Sequence, residues 1–125
     1  MKIAMVIVRT LMGLLFIFAS ITYLFKLYPQ PELTGSVKIF SDGMEASGYL
    51  MVLVKVIELA CGIAFVSGRF VTLAAVLIAP IIVNIFCFHA FLDPKGLPAA
   101  VFLVLGNSFL GYYYRENYKT LFAAK

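Results

Sequence analysis

The sequence predicts an all-α integral membrane protein, a four-helix bundle of up-down-up-down topology with a short interfacial segment between the first two membrane helices. The first observation is composition: 63% of the 125 residues are hydrophobic, 13% are charged, and mean hydropathy is +1.02. A soluble domain this small has too much surface for its volume to hide so many apolar side chains. The second is spacing, because the chain contains four stretches of about 20 mostly apolar residues, enough to cross a hydrocarbon core of about 30 Å.

These four stretches fill most of the chain, so we predict a single transmembrane domain, residues 1–125, without a soluble module. Arg9 interrupts the first stretch and no small-residue cleavage site follows, which favours a retained helix over a cleavable signal peptide. Short turns at 67–69 and 93–96 force neighbouring helices to be antiparallel. The predicted helices are Ile3–Leu27, Gly48–Ser67, Val71–Leu92 and Leu97–Tyr114.

The longest segment between the predicted membrane helices follows the first of them. Pro29 and Pro31 stop that helix, and Thr34–Met44 has a weak amphipathic pattern. We predict a short interfacial helix, or a lid over the outer mouth of the bundle.

The distribution of charge indicates a membrane orientation. The net charge is +4, but Lys and Arg are sparse and form no basic stripe, which argues against nucleic acid. Four spans place both termini and the 67–70 loop on one side, and that side carries most of the positive charge, which predicts cytoplasmic termini. The tyrosines fall near the two predicted interfaces, as aromatic belts do. The positive residues of the predicted cytoplasmic side are Lys2, Arg9, Arg69, Arg115, Lys119 and Lys125.

The most informative feature is a pair of ionisable residues, Lys55 and Glu58, in the middle of an apolar stretch. Each costs about 2.5–3.5 kcal/mol on insertion, so such residues normally face a protein interior or a wet cavity. At i and i+3 they can pair on one helix. Two interpretations stay open: a neutralised clasp between helices, or a proton-relay or ligand-binding carboxylate.

Four other polar residues lie within the predicted spans. Arg9 is expected to extend toward the headgroups, away from Glu58, although a water-bridged contact between them is the alternative. Asn84 follows Pro80 by one turn, and both Asn84 and Asn107 need hydrogen-bond partners, either in a polar kink or around Glu58. His89 falls on a different side of its helix from Asn84, which favours an interfacial histidine over a role in proton uptake.

Each helix has one side richer in polar or small residues, which we expect to face inward. A second, small-residue row (Ala60, Ala64 and Gly68) predicts close approach of a neighbouring helix, within the bundle or in a homodimer. Cys61 and Cys87 are about 15 Å apart along the bundle axis, too far for a disulfide. The inward sides are Arg9, Met12, Gly13, Phe16, Ser20 and Tyr23; Lys55, Glu58 and Gly62; Pro80, Asn84 and Cys87; Ala100, Leu103, Asn107 and Gly111.

No catalytic residue can be assigned from motifs. The chain has no nucleophile–base pair, phosphate loop or dinucleotide fingerprint, and its single histidine has no second metal ligand at useful spacing. We therefore predict no metal site, no evident cofactor and no self-contained hydrolase or kinase chemistry.

Several of these motifs resemble the DoxX family, within a wider group of four-helix membrane proteins that includes MauE-like proteins. The most specific is K-x-x-E-x-x-x-G inside a membrane helix, which Lys55, Glu58 and Gly62 match. The other motifs that resemble the family are Arg9-x-x-Met-Gly13-Leu-Leu-Phe, Arg69 followed by Leu73-Ala-Ala, and Ala79-Pro80-x-x-x-Asn84-x-x-x-x-His89. At the end of helix one the chain departs from the family, so the outer polar position falls on either Tyr23 or Lys26.

The resemblance implies a bacterial inner-membrane protein, with Arg9, Lys55, Glu58, Asn84 and His89 at the family's polar positions. Some relatives are associated with redox systems, including the small subunit of an archaeal thiosulfate:quinone oxidoreductase. The first hypothesis is thus a redox-associated or quinone-facing membrane subunit, accessory to an oxidoreductase, with a polar site inside the bundle. The alternatives are a proton or small-molecule transporter that uses Glu58, and a structural subunit of a membrane complex. The predicted site residues are Glu58, Lys55, Asn84, Arg9, Asn107 and His89.

Overall fold

The computed structural model describes residues 2–25 and 34–121, and the all-α class is confirmed, since these ranges hold helices and no strand. Four helices, the last counted from Pro94, are long and apolar enough to cross a membrane. A fifth is short and lies between the first two. The α-helices are α1 (Lys2–Leu24), α2 (Gly35–Ala46), α3 (Leu50–Ser67), α4 (Val71–Phe91) and α5 (Leu97–Tyr113).

The helix boundaries agree with the predicted ones to within about three residues. The predicted end of helix one, residues 26 and 27, lies outside the described residues, as do Tyr28 and Lys125. α3 begins two residues later than predicted because Ser47 organises the preceding turn. Its Oγ accepts a hydrogen bond from the Leu50 backbone N–H at 3.0 Å, and Gly48 takes the left-handed φ of 83° that the turn needs.

The four long helices form a closed ring, in which α1 contacts α3, α3 contacts α4, α4 contacts α5 and α5 contacts α1. The residues at the end of α5 contact the starts of two other helices: Tyr118 Oη donates to the Thr72 carbonyl of α4 at 2.8 Å, and Tyr114 Oη lies 3.5 Å from Met5 Sδ of α1. The start of α1, the α3–α4 turn and the end of α5 therefore lie together. We call this the terminal end of the bundle, and the opposite one the α2 end.

The centre of the bundle is filled by apolar side chains, and the Phe16 and Phe65 rings contact each other with centroids 6.4 Å apart. Many large apolar side chains are exposed on the outside, for example Ile3 at 77% and Phe18 at 61%. This distribution is expected when lipid is the solvent. The core is Met5, Met12, Phe16, Cys61, Phe65, Val71, Ala74, Ala75, Ile78, Ile82, Leu103 and Leu110.

The predicted inward face of α4 is wrong. Pro80, Asn84 and Cys87 are exposed, and the buried face of α4 instead contains Ala74 and Ile78. α4 is apolar on every side, so one amide does not determine its rotation; the small alanines allow closer packing against neighbouring helices. In α1, by contrast, four predicted inward residues are buried: Met12, Gly13, Phe16 and Ser20.

α1 and α3 approach each other most closely at two glycines. A Cβ on Gly62 would lie 2.9 Å from the Gly13 carbonyl oxygen, and a Cβ on Gly13 would lie 2.8 Å from that of Gly62. The predicted small-residue row does not make this contact, because Ala60 is exposed. The cysteines are free, Cys61 buried and Cys87 exposed.

We predict that Gly62→Ala destabilises the bundle, because its methyl group has no room between two backbones. Overpacking of this kind costs about 1–3 kcal/mol, which would appear as a lower thermal unfolding temperature in detergent. Gly111→Ala is the matched control, since no atom of another described residue lies within 4 Å of a Cβ added at Gly111. An unfolding temperature for Gly62→Ala equal to that of Gly111→Ala would contradict the close approach.

Candidate functional site: a cavity beneath the short helix

A cavity of about 540 Å³ lies between α2, the first half of α3 and the second half of α4. Most of its wall is apolar, and four polar or ionisable side chains predicted as site residues line it: Lys55, Glu58, Asn84 and His89. The remaining lining residues are Phe40, Ser41, Met44, Leu50, Met51, Val54, Pro80, Ile81, Ile85 and Phe88.

The depth of each lining residue follows from the rise of about 1.5 Å per helical residue. Glu58 and Pro80 are each nine residues from the α3–α4 turn, which places both about 13 Å above the terminal end. By the same rise, Lys55 and Asn84 stand about 18–20 Å from that end, on facing walls, and His89 about 27 Å from it. The cavity therefore extends from the middle of the membrane-spanning region to its α2 end.

Glu58 and Lys55 form an ion pair at the bottom of the cavity, with Lys55 Nζ 3.2 Å from Glu58 Oε2. The Glu58 side chain is 5% exposed and that of Lys55 is 16% exposed. The distance is that of an ion pair, but Oε2 has no well-aligned hydrogen-bond donor among the described residues. The pair is thus sheltered from acyl chains, while one carboxylate oxygen keeps its capacity to accept a hydrogen bond.

His89 lines the cavity at its α2 end, and Asn84 lines it nearer the middle of the membrane-spanning region. A helical wheel places them on different sides, but the cavity is wide enough to include both. His89 Nδ1 lies 3.0 Å from the Asp93 carbonyl oxygen, which can only accept, so Nδ1 carries the proton in the neutral ring. The ring packs directly on Gly96, where a Cβ would collide with it. In that neutral form Nε2 is left as a hydrogen-bond acceptor.

α2 covers the α2 end of the cavity and is held to two long helices. Its Phe40 ring contacts the Phe88 ring of α4, with centroids 5.1 Å apart. At its other end, Glu45 Oε1 accepts a hydrogen bond of 3.1 Å from Tyr23 Oη of α1. The predicted lid is therefore present, with Phe40 as one of its cavity-lining residues.

The outward side of α2 is polar. Lys38 Nζ lies 2.6 Å from Asp42 Oδ2, and both side chains are more than half exposed. The Asp42 carboxylate raises the pKa of Lys38 through their hydrogen bond. A polar outer face over an apolar inner one is typical of a helix at a membrane–water interface.

Two predicted site residues lie away from the cavity. The guanidinium of Arg9 packs on Gly68 at the terminal end, in the direction expected from its tilt toward the headgroups. Asn107 Nδ2 donates a 3.2 Å hydrogen bond to the Ala75 carbonyl and so links α5 to α4. These two residues belong to the helix contacts of the bundle, not to the wall of the cavity.

Tyr23 was interpreted from sequence as part of an aromatic belt, but it also connects α2 to the ion pair. Lys55 Nζ lies 5.8 Å from the centre of the Tyr23 ring, whose hydroxyl bonds Glu45. A polar sequence of contacts thus runs from exposed Glu45 through Tyr23 and Lys55 to buried Glu58. Its helical spacing from Ser20 places Tyr23 on the inward side of α1, but the sequence does not indicate its hydrogen-bond partner on α2.

Taken together, four antiparallel apolar helices, long enough to cross a membrane, define a multi-pass membrane protein, and a largely apolar cavity with a few polar groups lies among them. The chain belongs to the DoxX family, because the DoxX family model matches residues 4–90, well over half of the chain. The matched region includes α1 to α3 and nearly all of α4, with every residue that lines the cavity. No curated protein and no solved structure matches the chain significantly.

We predict a strong energetic coupling between Lys55 and Glu58. Loss of one partner leaves a buried charge uncompensated, so Lys55→Met and Glu58→Gln should each cost up to about 3 kcal/mol, and the double variant less than their sum. Unfolding of all four proteins in detergent measures the coupling as a double-mutant cycle.

The matched control is the exposed pair Glu116–Lys119, with an N–O distance of 2.8 Å and both side chains about 70% exposed. The same cycle there should show no resolvable coupling, since solvent screens exposed pairs. Equal coupling at the two pairs would show that the buried pair gains nothing from its shelter.

Proposed function

We propose that the protein is a redox-associated membrane subunit that binds a small amphipathic molecule, a quinone, in the cavity under α2. The observation that supports this most directly is the lining of the cavity. Four polar or ionisable side chains of the membrane helices α3 and α4, with Ser41 of α2, line a wall that is otherwise apolar. A volume of about 540 Å³ lies in the range of small-molecule sites, and such sites combine apolar walls with a few polar groups.

The donor and acceptor set fits a quinone ring. Lys55 supplies an ammonium group that donates hydrogen bonds to a carbonyl oxygen. Glu58 also lines the cavity, and its carboxylate can accept a hydrogen bond from a reduced, hydroxyl-bearing ring. Electrons would pass to or from the ring through a partner subunit, because the proposed role of this chain is to bind and orient the molecule.

The positive-inside rule supports an orientation in a bacterial inner membrane. The terminal end carries Lys2, Arg69, Arg115 and Lys119, and Arg9 extends toward it. We propose that this end, with both termini, faces the cytoplasm. The cavity then lies in the outer half of the membrane, under α2.

We predict that a soluble benzoquinone analogue raises the thermal unfolding temperature of the purified protein, and that Glu58→Gln abolishes this shift while the variant still folds. The substitution keeps the shape of the side chain and removes its charge, so the ammonium of Lys55 loses its partner. Circular dichroism checks folding, and differential scanning fluorimetry in detergent measures the shift.

Glu116→Gln is the control, because it removes a carboxylate from an exposed pair and should leave the shift unchanged. No shift in the native protein at saturating quinone would contradict the proposal. If quinone raises the unfolding temperature of Glu58→Gln as much as that of the native protein, quinone binding does not depend on the ion pair.

A second function, proton transfer with Glu58 as the titrating group, is favoured by the contacts from Glu45 through Tyr23 and Lys55 to Glu58. The chain joins the exposed surface of α2 to the buried carboxyl. Carboxyl, hydroxyl and ammonium groups in sequence are the kind of side chains that relay protons.

If protons use this chain, Tyr23→Phe should slow proton flux into proteoliposomes, measured with a trapped pH-sensitive dye, by about tenfold or more. The ring remains over Lys55, so quinone binding should persist. Flux equal to that of the native protein, or no flux above empty vesicles in either, would rule out this route and leave quinone binding as the function.

A further inference from the structure

The cavity has two sides from which a ligand could reach it, and α2 covers one of them. Phe40 contacts Phe88, Met44 lines the same surface, and Glu45 bonds Tyr23. These contacts hold α2 over the cavity at the α2 end. The second side is the lateral one, along α4.

The lateral side of α4 carries the exposed part of the cavity wall. Pro80 and Asn84 line the cavity and are both exposed. At about 100° per residue they share one face with Leu77, which is 53% exposed. A cavity-lining amide thus lies on an apolar outward face, within the span that crosses the hydrocarbon core.

Asn84 makes no hydrogen bond with any described residue. An amide in hydrocarbon without a partner is unfavourable, because nothing there replaces the hydrogen bonds that it makes with water. Pro80 adds to the local polarity, because it has no N–H to donate to the Val76 carbonyl one turn before it. The Asn84 amide and the Val76 carbonyl therefore both lie on this lateral side of α4. Only lipid-soluble molecules reach it.

We propose that the ligand enters from the acyl-chain region of the bilayer through the opening beside Pro80 and Asn84, and that it is a lipid-soluble molecule with a polar head and an apolar tail. Asn84 bonds the head, the Lys55–Glu58 pair receives its far end, and the tail remains in the opening. This inference rests on the proposed function only for the identity of the head as a quinone ring. The lateral route itself is argued from the exposure of the cavity-lining residues Pro80 and Asn84, whatever the head is.

Spin-label accessibility tests the opening without any ligand. In a Cys87→Ser background, where the remaining Cys61 is buried, Asn84→Cys carries a nitroxide label in proteoliposomes. The label at position 84 should collide more often with oxygen than with a water-soluble nickel chelate. A label at Leu77→Cys, on the same outward face, should behave in the same way. A label at Asp42→Cys, on the exposed side of α2, should collide more often with the chelate. A label at position 84 that behaves like Asp42→Cys would overturn the lateral opening.

Tail dependence tests the ligand class. In nanodiscs, a decyl-substituted benzoquinone should bind at least about tenfold more tightly than the same ring without its tail, after correction for partitioning into lipid. Asn84→Leu should weaken binding of the tailed quinone, and Asn84→Gln should restore most of it. Equal affinity of the two quinones would overturn the tailed-ligand inference while leaving the proposed function intact.

The two failures are distinguishable. If neither quinone binds the native protein, the proposed function fails, and the assignment of an amphipathic quinone to the opening fails with it. The spin-label result still decides whether the cavity opens to lipid or to water. Since Asn84 is exposed, its substitution leaves the core unchanged, and the unfolding temperature of each variant verifies this.

Discussion

The close contact between α1 and α3 at Gly13 and Gly62 is the constraint on which the remaining structure depends. In a bilayer no hydrophobic force drives helices together, so they associate through close packing and hydrogen bonds. Two glycines give α1 and α3 the most extensive contact of the bundle, while α3 and α4 meet over a smaller area. The space left between α3 and α4 toward the α2 end is the cavity, and the short helix α2 covers it.

The polar groups inside the spans fall into two sets. One set is used by the bundle itself: Ser20 Oγ donates to the Phe16 carbonyl within α1, and Asn107 bonds Ala75 across α4 and α5. The other set surrounds the cavity, where the Lys55–Glu58 pair and Asn84 retain hydrogen-bonding capacity. Arg9 Nε and Asn107 Oδ1 also lack partners among the described residues, but they lie away from the cavity. Of these groups, the ones that line the cavity are the ones with free space beside them.

Membership of the DoxX family establishes the architecture and leaves the chemistry to the site, since one fold serves many functions. The site has three parts with distinct physical roles. The ion pair supplies charge at the bottom, His89 supplies an acceptor near the top, and α2 separates the space from water. A clasp between helices would need only the first of these. The presence of the cavity and its cover is what favours a binding role for the pair.

The sequence by itself determined that lipid is the solvent, the number of spans, the short helix after the first span and the pairing of Lys55 with Glu58, because hydropathy and helical spacing are local properties. It did not determine the rotation of α4, since a helix apolar on all sides offers no preferred face; hence Asn84 and Pro80 were expected inside and lie on the outward side of a cavity. It also missed the partner of Tyr23, because that contact depends on where α2 packs. Only tertiary packing, through the volumes of Gly13, Gly62 and Ala74, fixed which side chains share the cavity.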